Sequence, residues 1–179
     1  MYMNDNYLVI SIIGSNRLDL IKILAKLSTS SGCNILDCRI ASMGQELGML
    51  FYIAGNWSAI AKLEALLSHQ AHKYDLQIQC KRTQPIENPL PQLPYHVQIV
   101  SLDKPGIISD IADFFAKESI PIFCLNIEHP KPTGHPSSIL TLNLIIQMGA
   151  HVHLASLRER FIDYCENRNL DATLEPLRY

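Results

Sequence analysis

The feature that most constrains the fold of this chain is an internal repeat with a spacing of 87 residues. At that spacing the apolar run 8–13 aligns with 95–100. The positions that follow align without a gap, namely Asn16-Arg17 with Asp103-Lys104, and Leu20, Ile21, Leu24 and Leu27 with Ile107, Ile108, Ile111 and Phe114. A chain of 179 residues with such a repeat predicts two small, similar domains.

A proline-rich segment separates the two copies. Residues 84–94 hold four of the ten prolines and show no apolar periodicity. This composition is typical of an extended linker. We therefore predict one domain at 1–83, a linker at 84–94 and a second domain at 95–179.

Both copies show the same order of predicted elements, with apolar alternation or runs for strands and a 3.6-residue period for helices. The first copy predicts strands at 7–13, 34–43, 46–54 and 76–81, and helices at 18–31 and 57–70, with Asn16 and Asn56 as N-caps and Gly32 as a helix stop. The second predicts strands at 95–101, 121–129, 138–148 and 170–174, and helices at 105–118 and 153–168. This order predicts an α+β fold of two tandem ferredoxin-like βαββαβ domains, each an antiparallel four-stranded sheet with two helices on one face.

The charge of the chain argues against direct binding of nucleic acid. The net charge is −2, with +2 in the first 83 residues and −4 in the remainder, whereas nucleic-acid-binding domains carry a basic footprint. RNA-recognition domains share this topology but stack bases on aromatic side chains of their central strands. The central strands predicted here are aliphatic, so we predict no direct nucleic-acid contact.

No membrane partner is predicted, because no apolar run approaches the roughly 18–20 residues of a membrane span. The first residues carry no cationic segment typical of a signal peptide. The five cysteines are odd in number and form no Cys-x-x-Cys motif, so a disulfide framework is not indicated. These observations predict a cytoplasmic protein.

Catalytic and metal-binding patterns are weak. The pairs His69 and His72, and His151 and His153, lack a third ligand, so we predict no metal and no cofactor. Ferredoxin-like folds also include acylphosphatases, for which Arg17 and Asn34 are candidate groups. The loop 14–17 lacks a glycine-rich phosphate cradle, which leaves a small acylphosphatase-like enzyme as the second alternative.

The best candidate binding site is the turn between the first strand and first helix of the second copy. Here Asp103 is a natural N-cap, and Pro105 suits a first helical turn. Gly106 lets a small ligand approach the helix N–H groups at the positive end of the helix dipole. An amino acid fits, with its carboxylate on N–H donors and its ammonium near carbonyl or acidic groups. An ordinary helix start explains the same residues without a ligand.

The motifs of the two copies resemble those of tandem ACT domains, which have an Asp-Arg-Pro-Gly-like turn after the first strand and a second strand like Gly-x-Asn-Ile-x-Asp-x-Arg. Residues 103–106 read Asp-Lys-Pro-Gly, and residues 32–39 read Gly-Cys-Asn-Ile-Leu-Asp-Cys-Arg. With Trp57 at a helix start, Lys-Arg-Thr at 81–83 and the proline-rich linker, the resemblance covers nearly the whole chain.

The resemblance implies a non-enzymatic regulator that senses an amino acid, with glycine as the first candidate. It implies repression of the glycine cleavage system by binding a DNA-binding transcriptional activator protein. The first alternative is an amino-acid sensor that regulates another target, such as an enzyme. ACT domains pair side by side, so pairing between the two copies, or between two chains as a homodimer, is also implied.

The resemblance further implies a ligand site where paired domains meet. By position it would use Asp103, Lys104, Pro105 and Gly106 of the turn, with strand-start residues across the interface, either Asn34 and Ile35 or Pro121 and Ile122. The first copy departs from the pattern, because it reads Asn16-Arg17-Leu18-Asp19. The Asp19 carboxylate would repel a ligand carboxylate. We therefore expect Asn16 and Arg17 to form a degenerate or different site and the second turn to carry the binding.

Overall fold

The structure is a computed structural model that describes residues 6–17, 19–85, 92–128, 139–149 and 152–177. The chain divides into two compact units, Met1–Glu87 and Asn88–Tyr179. Each unit has the element order βαββαβ and a four-stranded antiparallel sheet. The predicted fold class, two tandem ferredoxin-like domains, is therefore confirmed.

The first unit forms a sheet in the order β2-β3-β1-β4. On the central strand, Leu8, Ile10 and Ile12 are buried and join one apolar core with Leu24 and Leu63 from the two helices. Both helices therefore cover the same face of the sheet. The elements are β1 (Asn6–Ser15), α1 (Leu20–Ser31), β2 (Asn34–Met43), β3 (Glu46–Gly55), α2 (Trp57–Tyr74) and β4 (Gln77–Thr83).

The second unit repeats this arrangement with the sheet order β6-β7-β5-β8. Its core contains Val97 and Ile99 of the central strand, and Phe115 and Phe161 from the two helices, whose ring centroids lie 5.2 Å apart. The elements are β5 (Gln92–Leu102), α3 (Ile107–Lys117), β6 (Ile122–Glu128), β7 (Ile139–Gly149), α4 (Leu154–Glu166) and β8 (Asp171–Pro176).

The predicted helix boundaries hold where a side chain or glycine defines them. Gly32 has φ 82° and donates its N–H to the last turn of α1, as predicted for a helix stop. Asn56 accepts a hydrogen bond from the Ala59 N–H at 2.9 Å and caps α2, also as predicted. None of the helices in the described residues is both long and apolar enough to cross a membrane.

The predicted linker extends too far at its C-terminal end. Gln92, Leu93 and Pro94 pair with β7 as the first residues of β5. Pro94 is tolerated because it lies before the stretch of β5 that also pairs with β8, and a proline at a strand start breaks few ladder bonds. Residues 86–91 of the predicted linker lie outside the described residues.

Candidate functional site

The turn between β5 and α3 differs from the predicted helix start. Gly106 has φ 99° and ψ −15°, and it follows Pro105. Proline followed by a glycine with positive φ is the signature of a type II turn. The left-handed conformation of Gly106 prevents a helix from beginning before Ile107, so α3 starts two residues later than predicted. The N-cap is therefore Gly106, and the prediction that Asp103 caps the helix is wrong.

The N-terminus of α3 carries no side-chain cap. The Gly106 carbonyl oxygen accepts the Asp110 N–H at 3.0 Å and the Ser109 hydroxyl at 2.8 Å. The Ser109 hydroxyl thus binds a carbonyl oxygen, and no side chain of the described residues caps the first-turn N–H groups. Free N–H groups at the positive end of a helix dipole form a natural anion site.

A cavity of about 780 Å³ opens at this turn, within the size range of small-molecule sites. All four predicted turn residues, Asp103 to Gly106, line it. The remaining lining comes from the start of α3 and from β6 and β7, and is mostly aliphatic: Ile107, Ile108, Ser109, Ala112, Ile127, Leu140 and Leu142.

The charged groups of the cavity are at its mouth. Asp103 and Lys104 are exposed neighbours in the chain. In the part of the chain that the structure describes, neither takes part in an ion pair. The Asp103 carboxylate and the Lys104 ammonium group are therefore available to a ligand that carries both a positive and a negative charge.

The aligned turn of the first unit is closed by its own side chains. Arg17 donates two hydrogen bonds to the Asp19 carboxylate, from Nε at 3.2 Å and from Nη2 at 3.1 Å. The Arg17 guanidinium also lies 4.8 Å from the Tyr74 ring centroid. The hydrogen bonds from Arg17 hold the pKa of the Asp19 carboxyl below its usual value. The charge of Arg17 is thus already compensated within the turn.

Asn16 does not cap α1, contrary to the prediction. Its N–H donates to the Gln45 carbonyl oxygen at 3.2 Å, and its amide nitrogen donates to the Ser42 hydroxyl at 3.2 Å. These bonds fasten the turn to the β2–β3 hairpin. Because Asn16 is held there, α1 begins only at Leu20, with Asp19 as its N-cap residue and no side-chain cap.

The strand-start residues of the predicted site lie far from the turns of their own units. Asn34 pairs with Ala54, which pairs with Tyr7 near the start of β1. The turn with Arg17 follows the opposite end of β1, about 26 Å away at roughly 3.3 Å per strand residue. Asn34 and Ile35 are therefore not joined to that turn within one unit. The acylphosphatase alternative loses its geometric basis, because Arg17 and Asn34 lie at opposite ends of the sheet.

Pro121 and Ile122 occupy the same position in the second unit. Ile122 pairs with Ile146, and the Pro121 carbonyl oxygen accepts the Gln147 N–H at 3.2 Å. Gln147 pairs with Pro94 near the start of β5, whereas the cavity lies at the end of β5. A contribution of these residues to a ligand site across an interface stays a prediction.

The apolar walls of the cavity were not predicted, although the repeat contained a signal for them. Ile21 aligns with Ile108, and Ile40 aligns with Ile127, at the spacing of 87 residues. All four are exposed in spite of their size. Each unit therefore presents an exposed isoleucine on its first helix, where the apolar period predicts burial, and another on its edge strand.

The open face of the first sheet carries aromatic side chains, contrary to the prediction of aliphatic central strands. Tyr7 of β1 and Tyr52 of β3 stack with centroids 5.6 Å apart. They alternate with the buried Leu8, Phe51 and Ile53 and so point away from the helices.

The histidines form no metal cluster within the described ranges, where no group of three or more ligating side chains is found. His153 instead caps α4, since its Nδ1 accepts the Ser156 N–H at 3.4 Å. His151 lies outside the described residues.

Comparison with known proteins finds one matching family model and two relatives that are similar over nearly the whole chain. The sequence model of the ACT domain family matches residues 6–81. The chain is 26% identical over 178 residues to the glycine cleavage system transcriptional repressors of Escherichia coli (strain K12) and Shigella flexneri, and the match covers 98% of this chain and 93% of each relative.

Two solved structures share the fold over the whole chain. One, provisionally described as a glycine cleavage system transcriptional repressor, has 27% identity and a TM-score of 0.79, with 98% of this chain and 99% of that chain covered. The other, described as an unknown protein from Galdieria sulphuraria, has 18% identity and a TM-score of 0.75, with 98% and 100% covered.

Proposed function

We propose that this chain is a tandem ACT-domain protein, because the ACT family model matches residues 6–81 and the second unit repeats the same fold. We further propose that it is an amino-acid-responsive repressor of transcription. The regulatory class is supported by relatives named glycine cleavage system transcriptional repressors, which match along 98% of this chain. Repression of glycine cleavage genes is the specific role that these relatives suggest for it.

The observation that carries the proposal is the cavity at the uncapped N-terminus of α3. The carboxylate of an amino acid binds the N–H groups at the start of α3, which carry no side-chain cap, and is attracted by Lys104. The ammonium group of the same ligand is balanced by the Asp103 carboxylate. A single turn thus provides a positive partner for the carboxylate of the amino acid and a negative partner for its ammonium group.

In this proposal the turn between β1 and α1 has a structural role and binds no ligand. Arg17 is held by Asp19 and Tyr74, and Asn16 is held by the neighbouring hairpin. Neither group is free to meet a ligand without breaking these contacts. The two units therefore have different tasks, with sensing assigned to the second.

Contact with a promoter is supplied by a DNA-binding activator protein in this proposal. The net charge of −2 gives this chain no basic footprint for the phosphate backbone. Binding of the amino acid changes the affinity of this chain for the activator, and the activator carries the DNA contact.

A homodimer is part of the proposal. Among the described residues the outer strand β2 pairs only with β3, and it exposes Leu36 and Ile40. An unpaired edge with apolar side chains is a template for pairing with another chain. Analytical ultracentrifugation of the full chain tests this, and a monomer at micromolar concentration would contradict it.

A thermal-shift screen against the twenty amino acids tests sensing. A ligand at about 100 times its Kd stabilises the folded state by about 2.7 kcal/mol, which raises the melting temperature by several degrees. The methyl ester of the best amino acid is the control, because it lacks the carboxylate and should give little shift. Sensing is refuted if no amino acid shifts the melting temperature at millimolar concentration.

Electrophoretic mobility shift assays test the indirect contact with DNA. This chain alone should not retard a promoter fragment, whereas it should alter the band formed by a helix-turn-helix activator recovered with it. Salt-dependent retardation by this chain alone would contradict the proposal, because it would show direct neutralisation of phosphates.

A further inference from the structure

The side-chain pocket of the proposed site is aliphatic on both sides. Ile107, Ile108 and Ala112 line it from α3, and Ile127, Leu140 and Leu142 line it from β6 and β7. Ile127 pairs directly with Leu142, so the two strands present a continuous apolar wall. The polar groups are confined to the turn at the mouth, apart from Ser109, whose hydroxyl is already bonded to Gly106.

Two of these isoleucines are partly exposed. The exposed fraction is 45% for Ile108 and 41% for Ile127. Water therefore contacts the apolar wall of the cavity when no ligand is bound, and covering that wall with an apolar group is favourable. The walls beneath, formed by Leu140 and Leu142, are buried and give the cavity a fixed apolar floor.

Glycine does not cover the apolar wall of the cavity. Its carboxylate and ammonium groups match the mouth, but it has no side chain to cover Ile108 and Ile127. A ligand with the same polar head and a branched aliphatic side chain fills both parts of the cavity. Discrimination by apolar pockets amounts to roughly 10–200-fold per methylene group, so the difference between such a ligand and glycine is measurable.

We propose that the ligand of the second unit is a branched-chain aliphatic amino acid rather than glycine. This inference rests on the proposed function, since it names the ligand class of the same site. Ile108 and Ile127 act as specificity-determining residues, because their side chains contact the side chain of the ligand. Leucine, isoleucine and valine are the members of this class.

Isothermal titration calorimetry on the full chain tests the inference, with leucine, isoleucine, valine and glycine as the probes. At least one branched-chain amino acid should bind about tenfold or more tightly than glycine. In Ile108→Ser this preference should fall several-fold while the glycine affinity stays unchanged. The aligned variant Ile21→Ser, which changes an isoleucine of similar exposure in the first unit, should alter neither affinity.

A second pair of variants guards against an effect on helix folding. Ile127→Thr keeps a β-branched residue in β6, and Ile13→Thr, at an exposed position of β1 in the first unit, is its control. Only Ile127→Thr should weaken the branched-chain ligand. The inference is overturned if glycine binds as tightly as the branched-chain ligands, or if the first-unit variants weaken the ligand equally. Tight glycine binding would leave the proposed function standing, whereas loss of all amino-acid binding would remove both.

Discussion

The guanidinium of Arg17 holds the carboxylate of Asp19 through two hydrogen bonds of 3.2 and 3.1 Å. The aligned positions of the second unit are Lys104 and Gly106. Gly106 has no side chain, so the ammonium group of Lys104 has no partner at that position. The two units therefore differ at this turn, because the positive charge of Arg17 is paired with a carboxylate and that of Lys104 is not paired at the aligned position.

The first prediction compares the two cations of these turns. Arg17→Ala should leave the affinity for the amino acid within about twofold, whereas the aligned change Lys104→Ala should lower it about tenfold. The reason is that a charge-assisted hydrogen bond contributes about 1.5–3 kcal/mol, and about 1.4 kcal/mol is tenfold in affinity. Calorimetry on both variants measures this, and a larger loss in Arg17→Ala would contradict the assignment.

The two cores offer a matched test of domain independence. Ile12 and Ile99 align in the repeat and are both buried. Ile12→Val and Ile99→Val should each cost about 0.5–1.5 kcal/mol, and each should lower a different calorimetric transition. A single transition that both variants shift equally would show that the units unfold together.

Ser31 is the buried side chain without a hydrogen-bond partner among the described residues. Ser31→Ala should stabilise the first unit by about 1 kcal/mol, because it removes an unsatisfied buried hydroxyl. Ser28, also buried in α1, donates to the Leu24 carbonyl oxygen at 3.1 Å, so Ser28→Ala should not stabilise the unit. Urea denaturation distinguishes the two, and equal effects would show that Ser31 gains a partner in solution.

The sequence was most informative where apolar alternation and local caps determine the structure. The stop of α1 at Gly32 and the end of β2 before Gly44 follow from glycine, which adopts a positive φ readily. The start of α3 was mispredicted because Asp103, Pro105 and Gly106 suit both an N-cap sequence and a type II turn. The choice between these depends on the conformation of Gly106, which the composition of the turn does not determine.

The walls of the cavity could be identified only from the tertiary structure. Ile108 and Ile127 are far apart in sequence, and only the packing of α3 against β6 and β7 gives them a common space. The predicted strand-start residues Asn34 and Pro121 lie at the other end of their sheets because antiparallel pairing reverses the chain. The turn residues and the strand-start residues of the sequence motif are therefore not close to each other within one unit.

The pH dependence of the second unit should reflect the Glu118–Arg160 ion pair, which joins the end of α3 to α4. Hydrogen bonds from Arg160 lower the pKa of Glu118 from its usual 4.5. The pair therefore stabilises the fold at neutral pH, and this contribution is lost as the pH falls below 4.5 and through the lower folded-state pKa.

Melting temperatures of Glu118→Gln and the unaltered chain check this from about pH 7 to about pH 3. The variant should melt a few degrees lower at neutral pH, and the difference should vanish in acid. Glu166→Gln, which removes the same charge from the exposed end of α4, is the control and should show no such convergence. A constant difference for Glu118→Gln across the range would exclude the ion pair as its cause.

The most direct measurement of the sensing site is amino-acid binding to Gly106→Asp and Gly106→Asn. A Cβ at Gly106 meets nothing within 4 Å, and both variants carry the same strain from φ 99°. They differ only in the charge placed at the mouth of the cavity. Calorimetry should show at least about tenfold weaker binding in Gly106→Asp than in Gly106→Asn. Equal affinity in the two variants would contradict the claim that the ligand carboxylate binds at this turn.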